Sequence, residues 1–215
     1  DDCSSDGTLS ILNDIAADDA RVIVFRSTSN IGAGAARNIS LENATGRFLA
    51  FLDADDLWSS TKLNSQLDFM LYFDICFSFT AFTVINEKGE HSAKIIDLQA
   101  PGTIGYVDLL AKKATFGCST VMIDLLQVPI FSMSTLRRGQ DYVTWLSILK
   151  TGTTAHLLRE PLSSYRITRG SLSRNKFKKA LAQWIIYRHV EKLPLITSVF
   201  FFCSYVYRSV FRSQK

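Results

Sequence analysis

The chain has 215 residues, of which 47% are hydrophobic and 20% charged. That suits one large domain, or a domain with an appendage, around a sizeable buried core, and it argues against a disordered chain. The net charge of +4 hides an asymmetry: positions 166–215 hold 11 Lys or Arg and a single acid, Glu191, whereas residues 1–165 carry a local charge of −6. A basic tail on an acidic body points to an anionic partner such as a phospholipid, a nucleic acid or a polyphosphate. Cys3, Cys76, Cys118 and Cys203 lack CxxC spacing, and His91, His156 and His189 form no ligand pattern. A disulfide or zinc framework is therefore excluded in favour of reduced thiols in a cytosolic setting.

In chain order, Asp1-Asp2-Cys3-Ser4-Ser5-Asp6-Gly7-Thr8 is a polar turn that reads as the end of a strand. Ser5, Asp6 or Thr8 can cap the helix that follows over 9–17. Asp1 or Asp2 either belongs to this loop alone or reaches a ligand's base or ribose. Arg21–Arg26 is the next expected strand. Asn30-Ile31-Gly32-Ala33-Gly34-Ala35-Ala36-Arg37-Asn38 is a glycine-bearing turn opening a helix that runs to about Asn43. Its first turn offers free N–H groups to an anion, but the third glycine of a dinucleotide fingerprint is absent. Arg37 can meet a phosphate, pair with a carboxylate or face solvent.

The stretch Arg47–Trp58 concentrates the chemistry. Phe48–Leu52 reads as a buried strand of a parallel sheet, and it ends in Asp53-Ala54-Asp55-Asp56. Acids at a strand's carboxyl end lie where open α/β folds bind ligands. Asp53 and Asp55, two residues apart, point to one side in extended backbone and can converge on a divalent cation. The alternative is a polar turn, with Asp56 capping the next helix.

Thr61–Tyr72 has Leu63, Leu67, Met70 and Leu71 at helical spacing, so these leucines are expected to face the core. Ile75–Ile85 reads as a strand, 86–90 as a turn, 107–113 as a short helix and Ser119–Ile123 as a strand. Val143–Lys150 is an amphipathic helix with Asp141 in or before its first turn, where the helix dipole favours a carboxylate. The same position also suits a general base. Pro161–Arg166 and Gly170–Arg174 read as a polar, basic loop. A helix is expected over 175–192. Leu193–Tyr207 is 15 residues without a charge, short of the ~20 that span a bilayer. An interfacial helix with Arg208 and Arg212 reaching outward fits it best; a core helix or one end of a membrane segment are the alternatives.

Taken together, Asp1-Asp2-Cys3-Ser4-Ser5-Asp6-Gly7-Thr8, Asn30-Ile31-Gly32 with Ala36-Arg37-Asn38, and Gly46 through Trp58 resemble the successive motifs of family 2 glycosyltransferases with the GT-A fold, of the bacterial cell-surface polysaccharide type. Gly139-Gln140-Asp141-Tyr142, and Tyr165-Arg166 with Gly170-Ser171 and Ser173, are similar to that family's later motifs. The resemblance covers about residues 1–175. It implies an α/β domain over 1–174, Rossmann-like, with a mixed, mostly parallel sheet and flanking helices, followed by a basic helical extension over 175–215. A strand and helix are implied ahead of Asp1, so the chain is expected to begin part-way into the domain.

The activity implied is inverting transfer of a sugar from a nucleotide-sugar donor to a hydroxyl of a glycan or polyprenyl-linked acceptor. By position, Asp2 would contact the base, Arg37 the nucleotide or its diphosphate, and Asp53 the ribose. Asp55 would hold Mg²⁺ or Mn²⁺, Arg166 would close over the diphosphate, and Asp141 would be the catalytic base, although Gln140 stands where the family often has Glu. Peripheral membrane contact through 176–215, at the cytoplasmic face, is the expected location. The rival readings are a catalytically impaired binding subunit and a metal-dependent nucleotidyltransferase. Nucleic-acid binding is not expected, because the tail's aromatics cluster instead of alternating with its charges.

Overall fold

The computed structural model describes residues 1–168 and 176–211. The expected loop Gly170–Arg174, Asn175 and Arg212 lie outside the described residues. The elements in order are α1 (Thr8–Asp18), α2 (Ala33–Glu42), β1 (Phe48–Ala50), β2 (Leu57–Trp58), α3 (Lys62–Phe73), β3 (Phe77–Ile85), β4 (His91–Ile96), β5 (Thr103–Ile104), α4 (Tyr106–Leu110), β6 (Val121–Asp124), α5 (Gln140–Leu149), β7 (Ala155–Arg166), α6 (Lys176–Ile185) and α7 (Leu195–Phe211). A 3₁₀ turn, Cys118–Thr120, leads into β6, and a π-helical turn, Ile186–Val190, continues α6.

One mixed sheet runs β1-β6-β3-β7-β2, with β4 added to β3 and β5 to β7. Its centre is the parallel β3–β7 ladder. The remaining five ladders are antiparallel, so among the described residues the parallel share is smaller than expected. Part of the difference lies at 21–26. This stretch is extended but is not a ladder strand; Phe25 and Ser27 hold Asp1 by a parallel-type pair of backbone bonds of 2.7 and 3.0 Å. β1 also differs from expectation, being half-buried and antiparallel to β6.

β7 is the main element that sequence reasoning overlooked. Pro161 and the serines after it read as loop, yet the segment lies at the heart of the sheet. The ladder accommodates the proline through register shifts, Thr80 facing Leu158, Ala81 facing Pro161 and Phe82 facing Ser163. A proline within a sheet is tolerated where a bulge removes the need for its missing N–H.

Both faces of the sheet are covered. On one, Phe77, Phe79, Val121, Ile123 and Leu157 pack with Phe116, Trp145, Leu146 and Leu149. Phe79 stacks on Phe116 at 4.3 Å and Phe77 tilts against Trp145 at 5.6 Å. On the other lies α3, whose buried row is Lys62, Gln66 and Met70, while Leu63 and Leu71 are exposed. Of the expected face Met70 is buried and Leu67 packs against the core, while Leu63 and Leu71 give way to Lys62 and Gln66 for a polar reason. Gln66 accepts from the Lys62 ammonium at 2.8 Å and donates to Ser78 Oγ and the Thr120 carbonyl at 3.0 Å each. A fully bonded amide is admissible in a core where an unbonded one is not.

The described part of the C-terminal segment packs onto the same core through Ile186, Tyr187 and Phe201. Its docking point is the end of α4. The Leu109, Leu110 and Ala111 carbonyls accept from Tyr142 OH (3.2 Å), Tyr187 OH (2.6 Å) and Ser204 Oγ (2.8 Å). A helix end leaves carbonyls without partners in the helix itself, and here three separate elements supply them. Glu191 adds a tie, accepting from Tyr106 OH and from Lys150 Nζ.

Candidate functional site

Four stretches of chain meet at the end of β1. At the first, the Asp2 carboxylate is spent on backbone: its two oxygens accept from Ile31 N–H at 2.7 Å and Gly32 N–H at 2.8 Å, the entry to α2. α2 is seated by Asn38, whose amide donates to and accepts from Met133 backbone at 3.0 and 2.7 Å. Gly34 has no substitute there, since a Cβ would lie 2.1 Å from the Ser134 carbonyl oxygen. α2 so placed delivers Arg37, which forms an ion pair with Asp53. With its amide oriented so that Nε2 donates to the Leu136 carbonyl at 2.8 Å, Gln140 Oε1 accepts from Arg37 at 3.0 Å. Arg37 therefore joins the acidic turn to the start of α5. Of the roles open to it from sequence, pairing with the carboxylate cluster is the one observed.

The acidic turn is pinned by Ser119. Its hydroxyl accepts from Asp53 N–H at 3.1 Å and donates to Asp56 Oδ2 at 2.6 Å. Its carbonyl accepts from Trp58 Nε1 at 2.7 Å and Ser163 Oγ at 2.8 Å. Asp56 is buried, and its other oxygen accepts from Arg166 N–H at 2.9 Å. The expectation that Asp56 caps the next helix is corrected: α3 begins at Lys62 behind Thr61, and Asp56 instead closes the turn on itself and on β7. Burial raises its pKa, which the Ser119 hydroxyl and Arg166 amide oppose. Arg166 adds a second brace. Its guanidinium donates to the carbonyls of Asp55 (2.7 Å), Asn86 (3.1 Å) and Glu87 (3.3 Å), tying the acidic turn to the β3–β4 turn. The Asp55 carboxylate remains exposed and accepts no hydrogen bond among the described residues.

The fourth stretch is the start of α5. Gly139 has φ +70°, and a Cβ on it would lie 2.9 Å from Ile186 Cδ1. This favours glycine on both conformational and steric grounds. The residue after Gln140 is Asp141, whose carboxyl is turned inward. Burial raises its pKa; the Tyr142 amide (2.8 Å) and the charges of Lys112 and Arg37 pull the other way, while Asp53 adds to the rise. Lys112 itself sits with its ammonium 3.2 Å from the centre of the Tyr142 ring.

These groups line one cleft of about 970 Å³. Asp2, Arg37, Asp53, Asp55 and Asp141 all border it, and so do Lys112, Gln140, Tyr165 and Thr168; Arg166 stands behind as a brace. Sequence reasoning missed Ser119, Gln140 as the partner of Arg37, and Lys112. Ser119 carries no local signal at all, because its role depends on a turn 66 residues away. No cluster of three or more His, Cys, Asp or Glu able to hold a metal occurs among the described residues. The exposed Asp55 carboxylate fits a cation that completes its shell with phosphate oxygens and water, as Mg²⁺ and Mn²⁺ do. Asp55 has the free oxygens for it.

The chain is 42% identical over 210 residues to TuaG of Bacillus subtilis, a candidate teichuronic acid biosynthesis glycosyltransferase, covering 98% of this chain and 82% of the relative. It is 34% identical over 207 residues to WfgD of Escherichia coli, named as a UDP-Glc:α-D-GlcNAc-diphosphoundecaprenol β-1,3-glucosyltransferase, covering 96% of this chain and 78% of the relative. In fold it matches S. aureus TarS 1–349, solved with UDP-GlcNAc, with a TM-score of 0.64 at 17% identity; the match spans 88% of this chain and 56% of that one. The profile described as Glycosyl transferase family 2 matches residues 1–166. With four separated motifs folded around one cleft and relatives alike over nearly its whole length, this chain is a member of glycosyltransferase family 2.

Proposed function

We propose that the protein is a metal-assisted, inverting glycosyltransferase that moves a sugar from a nucleotide-diphosphate donor to a hydroxyl of a lipid-linked glycan. The observation carrying this reading is the convergence of Asp2, Asp53, Asp55 and Asp141, from four segments, on a single cleft. Asp2 and Asp53 form the nucleotide side, the first toward the base and the second toward the ribose. Asp2 keeps spare lone pairs for this, since each of its oxygens accepts one amide. Arg37, paired with Asp53, contributes positive charge beside the diphosphate. Asp55 would hold Mg²⁺ or Mn²⁺, which would supply positive charge to the departing diphosphate. Arg166 fixes the Asp55 backbone, so its contribution to diphosphate binding is through the shape of that turn.

Asp141 accepts the proton of the acceptor hydroxyl as the oxygen attacks the anomeric carbon from the face opposite the leaving group. A carboxyl whose burial lifts its pKa is a stronger base than an exposed one, and the charges of Lys112 and Arg37 oppose that rise. Lipid linkage of the acceptor is supported by the name of the 34% identical relative. Calorimetry with UDP in the presence and absence of Mn²⁺, followed by turnover on a panel of nucleotide sugars, tests the reading. Metal-dependent UDP binding is expected, and a full chain that ignores UDP would remove the donor assignment.

Peripheral contact with a membrane belongs to the same proposal. No helix among the described residues is long and apolar enough to cross a bilayer. α7 nevertheless exposes Ile196 at 85% and Phe200 at 67%, near Lys192 and Arg208. Apolar and basic groups combined in this way favour the surface of an anionic bilayer. Removing the helix would strip Phe201 and Ser204 from the body, so the cleaner test keeps it. Co-sedimentation with vesicles containing phosphatidylglycerol should fall in Ile196→Ser/Phe200→Ser; unchanged sedimentation removes this part.

A further inference from the structure

By the proposed reading, α2 and the acidic turn form the donor side of the cleft, and the end of α4, α6 and α7 are left for the acceptor. Gln140 stands where the two sides meet. It is the first residue of α5, between Gly139 at φ +70° and Asp141. Its side chain is used at both ends. Nε2 donates to the Leu136 carbonyl at 2.8 Å, and Oε1 accepts from Arg37 Nη1 at 3.0 Å, while Nη2 of the same guanidinium donates to Asp53. Its main chain is held too: the Gln140 carbonyl accepts from Thr144 Oγ1 at 2.7 Å, and that hydroxyl accepts from Ser134 N–H at 2.9 Å. The stretch 133–136 thus grips α2, through Asn38, and the start of α5 together. The two partners of the side chain are a carbonyl and a cation, so it has to donate at one end and accept at the other, as an amide does. A carboxylate would satisfy Arg37 and set its second oxygen against the Leu136 carbonyl.

We infer that Gln140 is a positioning residue for the transfer: it holds Arg37 in place against Asp53 and, being neutral, leaves that guanidinium bonded to one carboxylate instead of two. This deepens the glycosyltransferase reading and rests on it. The positive charge that Arg37 offers the donor's diphosphate is then not cancelled a second time. Asp141, the only acid in the first turn of α5, is also spared an anion as its immediate neighbour. The groups whose charge reaches it lie on other elements: Arg37 on α2, Asp53 in the acidic turn and Lys112 just after α4, with the Cys118 thiol also close by.

Gln140→Met and Gln140→Glu in the full chain test the tether and the charge separately. Gln140 is only part-buried, so neither replacement opens the core. UDP with Mn²⁺ is titrated by calorimetry, and the Asp141 carboxyl is titrated by carboxyl-carbon NMR, its signal identified by its loss in Asp141→Asn. Gln140→Met cuts the tether without adding charge. Its UDP affinity should fall by about 10-fold, the scale of one hydrogen bond to a charged group, while Asp141 titrates as in the wild type. Gln140→Glu keeps an acceptor for Arg37 and adds a negative charge. Its UDP affinity should fall at least as far, and Asp141 should titrate at a higher pH than in the wild type. A residue that only supported the backbone would lower the melting temperature of both variants without this contrast. Wild-type UDP affinity in either variant overturns the inference, as does an Asp141 titration that the two variants move alike or that Gln140→Glu leaves unmoved. The NMR arm needs no donor. If the wild-type chain ignores UDP, the donor reading fails, and the effect of Gln140 on Asp141 is still decided.

Discussion

The two walls of the cleft are held by different forces. The wall proposed for the donor, made of residues 1–2, 30–37 and 53–56, is fixed by polar side chains bonded to backbone: Asp2 to the α2 entry, Ser119 and Asp56 to the acidic turn, Arg166 to its far side. The wall proposed for the acceptor is fixed by apolar packing of Ile186, Tyr187 and Phe201 and by hydroxyls on the end of α4. Geometry held by directional bonds tolerates little substitution at specified residues, whereas geometry held by packing needs volume more than identity. The difference suits a wall that meets one class of nucleotide and another that has to be reshaped for different acceptors.

The largest effect is expected where the walls meet. Asp141→Asn should lower turnover by about 10³-fold while UDP affinity stays the same, the size expected for loss of a general base; kcat measured alongside calorimetry checks it. Since burial raises the Asp141 pKa, activity should fall on acidification at a higher pH than an ordinary carboxylate would give. Lys112→Met, which removes a charge that lowers that pKa, should move the acid limb higher still in a pH–kcat profile.

On the donor wall, Asp55→Ala should cost about 100-fold in metal-dependent UDP affinity, the scale of lost interactions with a charged partner, and should leave metal-free binding unchanged. Ser119→Ala breaks a brace without touching donor or metal. Two lost hydrogen bonds at about 1 kcal/mol each predict a loss of up to roughly 30-fold in UDP affinity, visible in calorimetry, and a lower melting temperature. If Ser119→Ala alters neither, the donor wall is not held as described.

The smallest effect on the cleft should come from Lys62. It is wholly buried, 4.2 Å from the Trp58 ring, and burial depresses its pKa from 10.5 to about 8. The folded state then binds fewer protons than the unfolded chain between those values. Stability should therefore rise as pH increases from about 8 to 10.5, by at most ~3 kcal/mol. Urea denaturation at several pH values should show that rise in the wild type and not in Lys62→Met, with turnover unaffected.

The same division explains how much was legible in the sequence. Asp2, Arg37, Asp53, Asp55 and Asp141 were singled out through the resemblance to family 2 motifs, and all five border the cleft. Their helices were legible too, because α2, α5 and most of α6 follow simple apolar periodicity. What escaped depends on long-range partners. β7 looked like loop because Pro161 needs a bulge that only β3 supplies. The buried row of α3 was only half assigned, Met70 and Leu67 but not Lys62 and Gln66, because Gln66 finds its partners on β3 and beside β6. Arg166 offered a motif but no hint that its guanidinium would be taken up by carbonyls.

The shared end of α4 has a consequence for protein engineering. Since Tyr142, Tyr187 and Ser204 converge on consecutive carbonyls of 109–111, the C-terminal helices are not an interchangeable cassette. A chimera that imports residues 176–211 from a relative to change the acceptor must import 106–112 and the facing turn of α5 as well. Otherwise the graft leaves the Leu110 and Ala111 carbonyls without their hydroxyl donors.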